Sequence, residues 1–439
     1  MTAARADAAI DALMALHPKG YDLSLDRIRV LLERLGNPQA AMPPVIHVAG
    51  TNGKGSTIAF ARAVLEAAGL SVHVHTSPHL VRWHERYRLG RPNGGKLVAD
   101  EVLADAIEEV AAANGGEAIT VFEILSAVMF LLFSRHPADV ALVEVGLGGR
   151  FDATNVLETA AVSVITPIGM DHQMHLGDTL SAIAFEKAGI LRTGVPAVVA
   201  RQEPEALATL RARAKEVGAP LRVFGEDFHL DEEHGRLVYR DANGLLDLPR
   251  PALPGAHQAA NAATAIAAAR TFAPDRIGQD AGACGLGDAV WPARLQRLRS
   301  GMLVDGLPDG VEVWLDGGHN GHAGAALARF FLDARAGDRR ALHLVTAMLD
   351  TKRPAEFLAP FLPLRPHVHA VPEASSEATI PPADLAATAT ALGLTAAVHP
   401  SVRAALAAIV TRNEPARILI CGSLYLAGTV LRENGTPPD

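Results

Sequence analysis

Apolar residues recur along the chain in two rhythms. Short, mostly apolar runs alternate with longer stretches in which apolar residues return at helical spacing. The run Val45–Ala49 reads as a buried strand. It enters the turn Gly50-Thr51-Asn52-Gly53-Lys54-Gly55-Ser56, and a helix is predicted from Thr57 to Ala68, stopped by Gly69. Leu70–His75 predicts a second strand, which runs into the polar turn Thr76-Ser77-Pro78-His79-Leu80. Helices are predicted from Asp100 to Ala113 and from Thr120 through Phe133. Strands follow at Val140–Val145 and Ala161–Thr166. Ahead of all these, residues 4–36 read as helical, with Leu23, Ile28, Leu31 and Leu32 as the apolar face and Gly36-Asn37-Pro38 as the stop.

Strands and helices alternating in this way predict a mostly parallel sheet covered on both faces, with ligands at the carboxyl ends of the strands. The glycine turn, Ser77, Glu144 and His172 all fall just after predicted strands. Residues 221–250 break the rhythm. Short β-like pieces there surround Asp231-Glu232-Glu233-His234-Gly235 and predict a small antiparallel insertion. Trp291-Pro292-Ala293-Arg294-Leu295-Gln296 approaches a boundary. Beyond it Val311–Leu315, Ala341–Thr346, His367–Val371 and Arg417–Cys421 read as strands between helices. The expected fold is α/β: a mostly parallel sheet domain carrying a phosphate loop over residues 1–298, and a second, smaller Rossmann-like α/β domain over 299–439.

A length of 439 residues agrees with more than one domain, and 49% hydrophobic residues can bury a sizeable core. The formal net charge of −8 argues against nucleic-acid or anionic-membrane partners, so anionic ligands would need local sites. Cys284 and Cys421 are too few for a disulfide scaffold or a cysteine zinc site. No signal-peptide pattern or bilayer-length apolar run is apparent. A soluble, cytoplasmic monomer is expected.

The chemistry begins at the glycine turn. Its glycines let successive N–H groups converge, and the following helix N-terminus adds positive potential, which suits phosphate. Lys54 can reach outer phosphates, and the hydroxyl of Ser56 or Thr57 can meet a magnesium shell. Gly55 separates lysine from hydroxyl, unlike the usual loop, and an ordinary strand-to-helix turn is the plainer alternative. Glu144 ends an apolar strand and needs a partner, either nucleotide-borne magnesium or a salt bridge. His172, beside Asp171, and Ser77 each read equally as structural.

A helix over Asp178–Arg192 would align Leu180, Ile183, Ala184, Lys187 and Leu191 on one face. Desolvation there favours a neutral lysine amine, which can take up carbon dioxide as a carbamate. The alternative is a snorkelling lysine or a pair with Glu123 or Asp171. Asn261, after His257-Gln258, offers an amide suited to an adenine edge or to a helix surface. Arg294 can serve phosphate or solvent. Asp316-Gly317-Gly318-His319-Asn320 follows a strand and offers an acid to ribose hydroxyls, and Gly422-Ser423-Leu424-Tyr425 follows the last strand.

Together these motifs resemble the Mur ligase superfamily, and within it the folylpolyglutamate synthase/dihydrofolate synthase family. Gly50–Ser56, Ser77–Leu80, Phe122-Glu123, Glu144–Asn155, Asp171-His172, Glu186–Ile190, His257-Gln258 with Asn261, Trp291–Gln296, Asp316–Asn320 and Gly422–Leu426 carry the likeness, in the family's order. The resemblance implies a reaction. ATP phosphorylates a carboxylate of dihydropteroate or the γ-carboxylate of a reduced folate. The amine of L-glutamate then attacks the acyl phosphate, giving an amide, ADP and phosphate.

By the same resemblance Gly50, Thr51, Asn52, Gly53, Lys54, Gly55 and Ser56 hold the ATP phosphates. Asn261 meets adenine, Arg294 phosphate and Asp316 ribose. Ser77, Glu144 and His172 hold magnesium, with two ions expected, and a carbamylated Lys187 supports the second. His319 and Ser423 face glutamate, with His319, Lys54 and Lys187 counted as catalytic. Phe122 packs on a pterin that Asp152 hydrogen-bonds. Ala293, Gly318, Gly321 and the turn Asp350-Thr351-Lys352-Arg353 depart from the family's pattern and leave the C-terminal site less defined. The alternatives are a superfamily ligase acting on a cell-wall or storage-peptide precursor, and a nucleotide-dependent switch without amide chemistry.

Overall fold

A computed structural model describes residues 5–6, 9–10, 24–335, 337–338, 340–373, 378–411 and 414–438. These divide into two compact units, Met1–Gly169 with Gln173–Ala252 and Ala259–Val290, and Met170–His172 with Leu253–Gln258 and Trp291–Asp439.

The first unit is built on eight strands: β1 (Val45–Ala49), β2 (Val72–His75), β3 (Tyr87–Leu89), β4 (Lys96–Leu97), β5 (Val140–Glu144), β6 (Val162–Ile165), β7 (Ala197–Val199) and β8 (Leu221–Val223). Their order is β4-β3-β2-β5-β1-β6-β7-β8. Neighbours from β2 to β8 run parallel, and β3 and β4 form an antiparallel margin. Every residue of β1 and β5 is buried, as befits central strands covered on both faces. The register that pairs Val48 with Glu144 and Ala49 with Ile165 brings three carboxyl ends together around the turn leaving β1.

The helix Val121–Arg135 begins with a reciprocal cap between Thr120 and Glu123. Leu125, Val128, Phe130 and Leu132 sink it into a core shared with Ile28, Leu31 and Leu32. The stretch 221–250 holds β8 of the large sheet and then a separate meander, β9 (Phe228–Glu233), β10 (Arg236–Asp241) and β11 (Gly244–Leu248). Its first hairpin turns at His234 and Gly235, both with positive φ (51° and 79°), as a two-residue primed turn demands.

The second unit has six strands: β12 (Gln296–Leu298), β13 (Glu312–Leu315), β14 (Ala341–Thr346), β15 (His367–Ala370), β16 (Thr395–Val398) and β17 (Ala416–Cys421), in the order β12-β13-β17-β14-β15-β16. Only β12 runs antiparallel. One sheet face packs through Leu344, Val368 and Leu419 against Leu327, Phe331, Phe357, Phe361 and Leu385 of the covering helices.

Three sequence expectations are corrected. The helix read over 4–36 is interrupted, because Ser24 and Leu25 are not helical and a helix starts afresh at Asp26. The Ser24 hydroxyl accepts from the Asp26 N–H (3.1 Å), a local bond that competes with helix; Leu23 lies outside the described residues. The helix after the glycine turn starts at Lys54 rather than Thr57, since Gly53 in the left-handed region (φ 88°) already ends the loop. The helix read over 178–192 is Leu180–Lys187, followed by a tighter turn Ala188–Ile190. Leu191 is buried from extended backbone, not from a continuing helix face.

Candidate active site

In the first unit the turn after β1 is tied down by backbone. The N–H groups of Thr51 and Asn52 donate to the Pro167 carbonyl (3.0 and 3.2 Å), and the Thr51 hydroxyl exchanges bonds with the Gly169 backbone. Two glycines are dictated by crowding. A Cβ on Gly50 (φ 151°) would lie 1.8 Å from Thr166 Oγ1, and one on Gly53 would lie 2.5 Å from Asn261 Oδ1. The buried amide of Asn261 therefore rests directly against the loop. Lys54 opens the helix, where N–H groups have no intrahelical acceptor.

Lys54 Nζ folds back to donate to the Gly50 carbonyl (3.2 Å) and stands 3.9 Å from Glu144 Oε1. Lys187 Nζ donates to the same Gly50 carbonyl at 2.9 Å from a buried position. Glu144 Oε2 accepts from the Ser77 N–H (3.2 Å). One carbonyl thus gathers two lysines, with a buried carboxylate and Ser77 alongside. Lys187 is fixed by the turn after β5, where the Arg150 N–H donates to the Glu186 carbonyl (2.8 Å) and Asn155 Nδ2 to the Gly189 carbonyl (3.2 Å).

In that turn Asp152 is buried, and both carboxylate oxygens are engaged: Oδ1 by the Thr154 N–H and hydroxyl, Oδ2 by the Leu147 N–H. Burial raises its pKa against these bonds. Its visible task is to shape the turn. Phe122 is half-buried with its ring pressed on Gly146, where an added Cβ would meet it at 2.4 Å. Beneath the site His47 Nε2 pairs with Thr154 Oγ1 (2.9 Å). Burial, then the Arg192 charge, depresses His47 to about 3; burial, then Arg86, does the same to His75.

The second unit has its own centre at Asp171. Its carboxylate takes Lys352 Nζ (2.7 Å) and Asn320 Nδ2 (3.0 Å), with His319 Nε2 at 3.6 Å and His172 Nε2 at 3.9 Å. Burial would raise the Asp171 pKa, but His319, Lys352 and His172 outweigh it and hold the group far below the ordinary carboxylate range. His172 belongs to this group of residues, in left-handed backbone (φ 51°).

His319 also donates through Nδ1 to the Gly317 carbonyl (2.9 Å). Asp316 holds the Leu295 N–H (2.8 Å) and the Gly318 N–H (2.7 Å). Arg294 Nη1 donates to the Ala293 carbonyl (2.8 Å). Ser423 is buried and caps its helix, accepting from the Tyr425 N–H (3.0 Å). The sequence places Asp171, Asn320 and Lys352 in separate motifs but does not pair them, because no spacing announces a pair 181 residues apart.

Glu144 and Ser77 present oxygen donors, which suit magnesium. Among the described residues no set of three His, Cys, Asp or Glu side chains forms a metal cage. Magnesium is commonly held by one or two carboxylates plus phosphates and water, so this sparse oxygen set fits it. Among the described residues no helix is long and apolar enough to cross a membrane.

A parallel sheet with a glycine loop, a lysine pair and a carboxylate at its carboxyl edge defines a nucleotide-binding ligase of the Mur type, and the Mur ligase middle domain matches residues 48–269. A dihydrofolate synthetase C-terminal domain matches residues 307–433. The chain is 38% identical over 306 residues to the folylpolyglutamate synthase of Lacticaseibacillus casei, covering 65% of this chain and 70% of that protein. It is likewise 38% identical over 309 residues to the Escherichia coli dihydrofolate synthase/folylpolyglutamate synthase, covering 70% and 68%.

The structure of E. coli FolC with DHPP and ADP superposes with a TM-score of 0.84 at 32% identity over 97% of each chain. A bifunctional folylpolyglutamate synthase/dihydrofolate synthase with Mn, AMPPNP and L-glutamate gives 0.80 at 30% identity, over 96% of this chain and 97% of that one. The chain belongs to the folylpolyglutamate synthase/dihydrofolate synthase family of Mur ligases.

Proposed function

We propose that the protein joins L-glutamate to dihydropteroate, to the γ-carboxylate of reduced folates, or to both, through an acyl phosphate. The observation that carries this is the convergence of Lys54, Lys187, Glu144 and Ser77 on the glycine loop. It occurs in a chain whose relatives have been crystallised with ADP, DHPP, AMPPNP, Mn and L-glutamate.

On this reading the loop from Gly50 to Ser56 seats the triphosphate, and Lys54 swings from the Gly50 carbonyl to the outer phosphate. Its charge offsets the repulsion between phosphate and incoming carboxylate. Glu144 and Ser77 would hold magnesium, which supplies further neutralisation of that charge when bound. The carboxylate oxygen attacks the γ-phosphorus and ADP leaves. The glutamate amine then attacks the acyl carbon, loses a proton and expels phosphate.

Asn261, against the loop, is assigned to adenine, Arg294 to phosphate and Asp316 to ribose. Phe122 provides the pterin a ring face, with Asp152 setting the turn beside it. His319 is assigned to glutamate, and Ser423 to the helix start facing it. The unit built on β1–β8 is assigned to the nucleotide and the unit built on β12–β17, whose main segment begins at Trp291 rather than at 299, to glutamate, in a cytoplasmic monomer whose state sedimentation checks.

Purified protein with ATP, dihydropteroate and glutamate is expected to release ADP only when acceptor and amino acid are both present. ADP release without them refutes the ligase reading, and turnover only with a muramyl-peptide precursor selects another branch. Carbamylation of Lys187, its amine adding to carbon dioxide with loss of a proton, is tested with 13C-bicarbonate. A carbamate resonance missing from Lys187→Gln supports it; identical spectra reject it.

A further inference from the structure

The second unit carries a basic cavity that the ligase reading does not use. It lies at the amino ends of β14, β15 and β17, the edge opposite Asp316 and Ser423. Strand length alone separates the two edges by roughly 15–20 Å. The cavity holds about 260 Å³, just below the ~300–1,000 Å³ of ordinary ligand clefts. Arg335, Arg340, Arg365, Arg417 and His367 line it, with Asp338 the one carboxylate among the described lining residues.

Two of the arginines are already balanced. Glu312 pairs with Arg340 (3.2 Å) and Arg417 (3.3 Å), and with Arg297 beyond the cavity (3.0 Å). Asp338 pairs with Arg340, and with Arg417 at 2.9 Å. Hydrogen bonding from Arg340 holds Asp338 down at about 2, so it stays ionised at neutral pH. Among the described residues Arg335 and Arg365 have no carboxylate partner. Arg335 only donates to the Pro363 carbonyl at 3.5 Å.

Arg365 is also conformationally expensive. It sits in the left-handed region (φ 49°), at a helix end where glycine or asparagine is the usual residue. An arginine kept in strained backbone at a cavity mouth points to a task for its side chain. In a chain of net charge −8, this local excess of guanidinium runs against the general balance.

We propose that this cavity binds a small, multiply charged anion through Arg335 and Arg365, whose planar forks match phosphate or carboxylate oxygens. The ion-paired arginines behind them hold the wall in place. The volume suits two or three linked anionic groups rather than a whole nucleotide.

The test is isothermal titration of the full chain at matched ionic strength, with pyrophosphate and separately with tri-γ-L-glutamate. One saturable site is expected for at least one probe. It should be unchanged in Lys54→Ala, which disables the glycine loop, and weakened roughly 10- to 100-fold in Arg335→Ala/Arg365→Gly. Glycine relieves the strained backbone, so that variant should fold, with circular dichroism as the check. Arg335→Lys/Arg365→Lys should restore part of the affinity. Preference for pyrophosphate marks a phosphate ligand, and preference for the peptide a polycarboxylate. Binding lost in Lys54→Ala, binding indifferent to the double arginine variant, or no saturable binding overturns the proposal.

Discussion

Two turns in this molecule follow parallel strands and look alike on paper, yet they are stiffened by opposite means. Gly50–Ser56 after β1 is held mainly from outside, by Pro167, Gly169 and Lys187, with its own Lys54 on the same Gly50 carbonyl, and its N–H groups lead into a helix start. Asp316–Asn320 after β13 carries its own anion: the Asp316 carboxylate already occupies the Gly318 and Leu295 N–H groups. On the proposed reading the first turn receives an anion from solution, whereas the second has an internal one. Glycines after a strand therefore signal phosphate only when no acid of the turn has taken the donors.

The comparison can be broken most decisively at Lys54. Lys54→Ala is expected to lower kcat by about 10²- to 10³-fold, since loss of one preorganised group facing transition-state charge costs that order. ADP release measured on protein with unchanged circular dichroism decides it, and near-normal turnover removes the first turn's assigned role. Next comes the second unit's centre. Asp171→Asn strips a partner from Lys352, whose side chain is 9% exposed, and should destabilise by about 3 kcal/mol. Urea unfolding reads this, and a change under 1 kcal/mol would mean the pair is ornamental.

Gly53→Ala probes the loop more gently. Its Cβ collides with Asn261 and its φ suits glycine, so about 1–2 kcal/mol of stability and a several-fold rise in the KM for ATP are expected. An unchanged KM would detach Asn261 from the nucleotide.

The smallest effect is graded with pH. His47 and His75, both in the first unit, fall from the ordinary 6.5 to about 3 on folding. The unfolded chain thus binds more protons below 6.5. Their contribution is complete above that pH and is lost as pH falls toward 3, by up to about 1.4 kcal/mol per pH unit for each histidine. Asp171 has its pKa lowered on folding, so its contribution begins to fade only below the ordinary carboxylate range. Loss of stability between pH 6.5 and 4.5 should therefore shrink in His47→Gln and be unaffected by Asp171→Asn.

Most of the strands were legible because β1, β5, β14 and β17 are wholly or nearly wholly buried and read as short runs dominated by apolar residues. β16 escaped notice because its edge position leaves it mostly exposed, with Thr395 and three small or β-branched residues. β12 was hidden in a boundary segment whose Arg297 reads as surface. The glycine loop was legible because its constraints are local. The Lys187 helix was recognised but drawn too long, since the tighter turn at Ala188–Ile190 leaves no periodic trace. Asp171 with Lys352 was illegible because the pair depends on sheet topology rather than spacing. Asp152 and Ser423, which the resemblance assigns to ligands, also set a turn and start a helix through their hydrogen bonds, roles no motif announces.

The Gly50 oxygen has two lone pairs and two ammonium donors. On the proposed reading, when Lys54 departs toward an arriving triphosphate Lys187 stays behind, so the vacated acceptor is not stranded inside the protein. Mobility of one side chain is thereby uncoupled from any rearrangement of the peptide it leaves. The converse also follows: a change that abolished the Lys187 donor would bind Lys54 more tightly to its resting place and slow its release.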